Sequence, residues 1–144
     1  MQTAPHIRLI LWKAAKAIER VDRASICETG LLLSEFAIME VLLHKGPLPI
    51  NAIGEKVLLT SGSMTAAVNR LQTKGYATRA KDPNDGRCAL VQLTESGQAI
   101  IRKAYQRHAE NLEQVAQVLT DAERRELVRL LKKLGRNAER GLPA

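Results

Sequence analysis

The residues best placed to do chemistry lie in one turn and on one helix face. The turn is Asp82-Pro83-Asn84-Asp85-Gly86-Arg87-Cys88, rich in the residue types that reverse a chain. A thin loop carrying an arginine can reach a duplex minor groove, where the potential is negative and narrow A·T tracts attract guanidinium. Asp85 stands two residues before Arg87. It either holds the arginine extended or shapes the turn. The competing reading of Arg87 is a solvated turn residue.

The helix face lies just upstream. Placed at about 100° per residue, Met64, Ala67, Val68 and Leu71 share one side of a helix over 61–74. Gly62, Thr65, Ala66, Asn69, Arg70 and Thr73 fall on or beside the other. That outer face is slim and hydrogen-bonding, with one arginine and no bulky hydrophobe. A helix that enters a major groove needs both properties, because its backbone must approach and its side chains must meet base edges and phosphates. A plain polar surface helix is the alternative.

No reaction centre stands out. There is no Ser-His-Asp grouping, metal cage, phosphate loop or dinucleotide fingerprint, so no enzyme activity and no cofactor is expected. Cys27 and Cys88 are the two cysteines. They read as free thiols, because nothing marks a secreted chain. Arg87 beside Cys88 would favour the thiolate, which makes Cys88, with Cys27, a redox candidate. Inert small residues are the other reading.

The elements that must position these residues follow from periodicity. The chain has 144 residues, 45% apolar and 3% aromatic, so it can bury a core built mainly of aliphatic side chains. Lys and Arg outnumber Asp and Glu by 22 to 15, giving +7. That excess fits a polyanionic partner or an ordinary basic protein. No apolar run reaches the roughly 20 residues of a membrane span, and the start lacks a signal-peptide core. A cytoplasmic protein without membrane contact is expected.

In chain order, Ile7, Ile10, Leu11, Ala14, Ile18 and Val21 repeat at helical spacing. A second helix starts near Ser34, read as its N-cap, buries Phe36, Met39, Leu42 and Leu43, and stops at Gly46. Residues 47–50 form an extended connector, and Asn51 caps a brief third helix. Thr60 caps the helix of the slim face, and Gly75 ends it. Two strands, 76–81 and 89–94, flank the charged turn. Thr94 then caps a long helix to about Val118, and the capping box Thr120-x-x-Glu123 opens a last one.

This order is a winged helix-turn-helix. The fold class is mainly α (α+β): a three-helix core plus a two-stranded wing, with N- and C-terminal dimerisation helices. The whole chain, 1–144, reads as a single domain. The DNA-binding lobe is 34–94, and dimerisation helices occupy 5–29 and 95–142. Between 51 and 94, six basic residues (Lys56, Arg70, Lys74, Arg79, Lys81, Arg87) face three acidic ones. The apolar stripes of the terminal helices need another surface, which a two-fold dimer supplies. A winged-helix module for protein contacts, without DNA, is the competing function; it need not keep Arg70, Arg79, Lys81 and Arg87 along one edge.

The run from Leu33 to Gly97 resembles the MarR family of bacterial transcriptional regulators. The resemblance rests on the helix after LLTSGS, the Gly75-Tyr76 pair, the wing Asp82 to Arg87, and the LTESG that opens the long helix. The run IGEKVLLTSGS is similar to the branch that includes quinone- and hydroquinone-responsive repressors. The resemblance implies a homodimer on palindromic double-stranded DNA, acting mostly as a repressor released by a small molecule or oxidant. A phenolic or quinone-like effector would follow. Base and phosphate contacts would fall on Ser61, Ser63, Thr65, Asn69 and Arg70, and on Arg87 supported by Asp85. The family's peroxide sensors carry a reactive cysteine near the start of the first helix, which this chain lacks. Its zinc sensors need converging ligands; Cys27, His44 and His108 fall short, and Leu112 stands four residues after His108. No metal site is expected.

Overall fold

A computed structural model of the chain describes residues 2–57 and 61–142. The elements run α1 (Ala4–Cys27), α2 (Leu33–Lys45), β1 (Leu48–Pro49), α3 (Ile50–Val57), α4 (Ser61–Thr73), β2 (Ala77–Lys81), β3 (Ala89–Leu93), α5 (Glu95–Ala116) and α6 (Asp121–Arg140). The expected Thr60 cap lies outside the described residues.

One core joins the lobe. Phe36, Ile38, Met39 and Leu42 from α2 meet Ile53 of α3, Met64, Ala67, Val68 and Leu71 of α4, Ala77 and Val91 of the sheet, and Ile101 of α5. The four α4 residues expected inside are at most 1% exposed. A fully buried Met or Leu contributes about 1.5–3 kcal/mol. This inner stripe therefore fixes which face of α4 remains outside.

Three local expectations change. Ser34 lies inside α2 and not at its cap; the helix starts at Leu33, and the Glu35 carboxylate accepts the Leu32 N–H at 2.8 Å. That bond is the half of a capping box in which the third helical residue reaches back to the N-cap backbone; Leu32 has no side-chain oxygen to complete the other half. Asn51 is the second residue of α3. The 47–50 connector contributes a strand: Leu48 pairs with Val91 and Pro49 with Leu90. The sheet thus has three antiparallel strands in the order β1-β3-β2, and Pro49 sits on an edge strand, where proline is tolerated.

The wing proper pairs Ala77 with Leu93 and Lys81 with Ala89. Gly75 turns the chain from α4 into it at φ 78°. Its N–H reaches Gln72 O at 3.0 Å and the next N–H, of Tyr76, reaches Leu71 O at 2.9 Å. This pair of bonds closes a helix end around a residue with positive φ, which favours glycine.

Helix α5 is seated on that turn. Thr94 caps it, accepting the Gly97 N–H at 3.0 Å. The Thr94 N–H donates to Tyr76 O at 3.0 Å, and the Thr94 and Ser96 hydroxyls both donate to Gly75 O, at 2.6 and 3.0 Å. A Cβ on Gly97 would lie 2.0 Å from Tyr76 O. Only glycine allows this approach.

Helices α1 and α5 are tied by Asn111 Nδ2 to Ser25 Oγ at 2.7 Å and by Arg107 to Glu28 at 2.7 Å. Beyond this contact, α1 and α6 leave apolar side chains in the open. Trp12 is 57% exposed, and Ile10, Leu11, Leu127 and Leu131 line a groove of about 650 Å³ between the two helices. The expected capping box at Thr120 and Glu123 opens α6, and no α6 residue is buried within the chain.

Candidate nucleic-acid interface

The outer face of α4 carries Gly62, Ser63, Thr65, Ala66, Asn69 and Thr73, all exposed. Nothing lies within 4 Å of a Cβ placed on Gly62. The Thr73 hydroxyl donates to the Asn69 backbone carbonyl at 3.0 Å. Ser61 forms the first residue of α4. Ser63 and Thr65 stand on the first turns after it, where backbone N–H groups and the positive helix end also favour phosphate.

Arg70 takes a different position. It turns toward the start of α2, where Nε meets Glu35 Oε2 at 3.3 Å and Nη2 donates to Ser34 Oγ at 3.3 Å. Lys74, one turn later, donates to Glu35 Oε1 at 2.8 Å and to Gly30 O at 3.4 Å. Glu35 is fully buried. Burial pushes its carboxyl up, but the Leu32 N–H, the Lys74 ammonium and the Arg70 guanidinium together outweigh that and hold it below the usual carboxylate range. Glu35 therefore clamps the C-terminal half of α4 to the N-terminus of α2. Sequence reading missed this role. Its signal was a carboxylate three residues into an otherwise apolar stretch, with two cations at i and i+4 on the facing helix.

The wing tip is closed by its own side chains. Asp82 N–H donates to Cys88 O at 3.0 Å, Asp82 Oδ1 accepts the Asn84 N–H at 2.8 Å, and Asp85 Oδ1 accepts the Arg87 N–H at 3.0 Å. Of the two roles open to Asp85, this is turn shaping: it holds Arg87 by the backbone and leaves the guanidinium loose. Arg87 is exposed, and its side chain has no ion pair or hydrogen bond among the described residues. Arg79, by contrast, is bonded to Gln72 of α4.

The electrostatics at Cys88 run opposite to the expectation from its neighbour. Its thiol donates to Asp85 Oδ2 at 3.5 Å. That bond and the Asp85 charge push the Cys88 thiol above its ordinary value, with Arg87 contributing no counterweight. Cys27 is exposed at the end of α1. His44 packs its ring edge on Tyr105 and meets Glu40 O at 2.9 Å. His108 is buried against Phe36 with Nε2 3.4 Å from Asp22. The three do not form a metal-competent group among the described residues, and His44 and His108 have separate local partners.

A slim helix face beside an arginine-tipped wing is a duplex-reading geometry. Comparison with known proteins agrees. The MarR family model matches residues 29–87. The HTH-type transcriptional regulator MhqR of Bacillus subtilis is 34% identical over 131 residues, 91% of this chain and 90% of that protein. The chain belongs to the MarR family. A second B. subtilis HTH-type regulator, YkoM, is 30% identical over 94% of this chain and 88% of its own length. Among solved structures, a mutant MarR from E. coli complexed with operator DNA matches with TM-score 0.79 at 25% identity, covering 91% of this chain and 94% of that one. A probable transcriptional regulator from Pseudomonas aeruginosa matches at 29% identity and TM-score 0.76, covering 89% and 96%.

As a MarR-family member, the chain is a winged helix-turn-helix transcriptional regulator that binds DNA. Its family consists of regulators and not enzymes. Among the described residues no helix is long and apolar enough to cross a membrane.

Proposed function

We propose that the chain is a homodimeric repressor of a pseudo-palindromic operator, one reading lobe per half-site, released by a small-molecule or oxidant signal. Helix α4 enters the major groove with Ser61, Ser63 and Thr65 at its leading turns and Asn69 on base edges. Arg87 enters the neighbouring minor groove. Arg70 serves the same end from the side: held on Glu35, it orients α4 and presents its exposed edge to the phosphates. Asp85 is a positioning residue for Arg87.

The observation that carries this reading is the wing tip. A solvated turn arginine needs no mount, yet the Arg87 backbone is fixed by Asp85 within a loop closed at Asp82 and Cys88, while its guanidinium stays uncommitted. The exposed apolar groove between α1 and α6 supports the dimer, because burying it requires a second surface. The likeness of residues 53–63 to the quinone-responsive branch supports a phenolic or quinone-like effector. A raised Cys88 thiol pKa speaks against that cysteine as the oxidant sensor.

The test is binding to genomic duplexes selected by the protein itself, titrated with salt. We expect Arg87→Ala to weaken operator binding by at least tenfold while sizing still shows a dimer. Absence of any duplex binding at low salt would sink the reading, because phosphate contacts are strongest there. Monomers in Arg87→Ala would overturn the division between wing and dimer arms.

A further inference from the structure

Helix α6 has two opposed faces. At about 100° per residue, Leu127, Leu130, Leu131 and Leu134 share one side, and Arg129, Lys132, Lys133, Arg136 and Arg140 share the other. From 127 to 142 the one acidic residue is Glu139. Arg129 is paired with Glu126 at 2.6 Å. Lys132, Lys133, Arg136 and Arg140 have no ion pair among the described residues and are all exposed. Between these side chains lies a surface hollow of about 410 Å³ lined by Arg129, Lys133, Arg136, Asn137 and Arg140, four cations and one amide.

The reading lobe is poorer in uncommitted charge. Of the six cations between 51 and 94, Arg70 and Lys74 are held by Glu35, and Arg79 by Gln72. More free positive charge therefore sits on α6 than on the wing and recognition helix together. We propose that the basic face of α6 is a second DNA contact surface, which takes the phosphate backbone of duplex DNA without regard to sequence. It would let one dimer hold a further duplex segment besides its operator.

Charge spacing favours DNA over a small phosphorylated ligand. From Arg129 to Arg140 is 11 residues, about 16 Å of helix at about 1.5 Å each. One DNA strand carries a phosphate about every 3.4 Å along its axis, so about five phosphates span that length. The face offers four unpaired cations, with Arg129 as a fifth beside them on Glu126. A lipid surface fits less well, because an interfacial helix buries its apolar side in the membrane. Here that side, through Leu127 and Leu131, forms one groove with Ile10 and Leu11 of α1, and so belongs to a protein contact. The inference rests on the chain being a DNA-binding regulator, but not on which residues read the operator.

The experiment uses the intact dimer with two fluorescently labelled duplexes, a selected operator fragment and a random-sequence 30-mer (about 100 Å long at about 3.4 Å per base pair). Energy transfer between them reports bridging, and anisotropy reports each affinity against salt. Wild type is expected to bridge at low salt. The triple variant Lys132→Gln/Lys133→Gln/Arg136→Gln should lose bridging, keep operator affinity within about twofold, and flatten the log–log salt slope of the second duplex by up to about 5, at about 0.9 per contact over two subunits. Lys132→Arg/Lys133→Arg, which keeps the charge, should bridge normally. Arg87→Ala should weaken operator binding at least tenfold, toward the affinity of the random duplex, and leave the random duplex unchanged, which separates failure of this surface from failure of the operator reading. Bridging by the triple variant at wild-type strength would overturn the proposal. So would a wild type that never bridges, or displacement of the second duplex by polyglutamate as readily as by an equal charge of DNA, which would mark an acidic-protein site instead.

Discussion

The Glu35 cluster can be broken from either side, and the two sides should not cost the same. In Arg70→Ala/Lys74→Ala the carboxylate stays buried with only the Leu32 N–H as partner. An uncompensated buried charge of this kind costs about 3–5 kcal/mol. In Glu35→Gln the side chain keeps its shape and can still accept the Leu32 N–H. The stranded cations have side chains 41% and 36% exposed, so water takes them back readily. The loss is then two solvent-screened pairs of about 0.2–1 kcal/mol each. The double variant should therefore be the weaker by about 1–4 kcal/mol, although both changes delete the same ion pairs. Urea unfolding at one fixed protomer concentration measures this, since a dimer's stability depends on concentration.

Acidification sharpens the test because the two proteins should respond with opposite sign. In the wild type the Glu35 carboxyl titrates below 4.5 when folded. The unfolded chain takes up that proton first, so the cluster's contribution is complete above about pH 4.5 and drains as pH falls through the lowered folded value. Without Arg70 and Lys74, burial dominates and lifts the folded value above the unfolded one. The native state then takes the proton first, and the double variant recovers stability as pH falls from neutral. Equal costs at pH 7, or a double-variant penalty that grows toward pH 4, would refute the account of Glu35 as a buried clamp.

Three further outcomes follow from named contacts. Gly97→Ala should destabilise by about 1–3 kcal/mol or more, because the new methyl meets a backbone oxygen fixed by Thr94 and no flexible side chain can yield; thermal unfolding checks it. Asn69→Ala should change which bases are preferred in selected operators and leave the salt slope nearly unchanged, since a base-edge contact releases no counterion. In a Cys27→Ser background, Asp85→Asn should speed alkylation of Cys88 by iodoacetamide at pH 7, because removing the charge lowers the thiol pKa that Asp85 now raises; an unchanged or slower rate would contradict that cause.

What the sequence revealed was set by distance along the chain. The inner stripe of α4 and the caps at Thr94 and Thr120 are local patterns, decided within one or two turns, and all were legible. Ser34 and Asn51 misled because good capping residues stood one or two places inside helices that start earlier; at α2 the N-cap is Leu32, whose own N–H is taken by the Glu35 carboxylate. Strand β1 has two residues, one of them proline, and becomes a strand only by pairing with β3 more than 40 residues away. Arg70 looked like any outward arginine until its partner, 35 residues upstream, was folded against it. The tight approach at Gly97 left no trace except a glycine in a helix's first turn.

These long-range contacts also say how a signal at the dimer arms can reach the DNA. Helix α5 is bonded at its start to the last turn of α4 through Gly75 and Tyr76, and farther along to α1 through Ser25 and Glu28. Glu35 adds a rigid tie between α4 and α2. These ties predict that α4 moves with α5 and does not tilt alone in its lobe. The groove between α1 and α6 is where the arms remain open in one chain. In a dimer, a change in how those arms pack turns each lobe as a unit and alters the separation of the two α4 helices. Operator half-sites about 34–36 Å apart tolerate little such change. On the proposed function, release would then need no remodelling of the reading face, only a rotation of the arms that carry it.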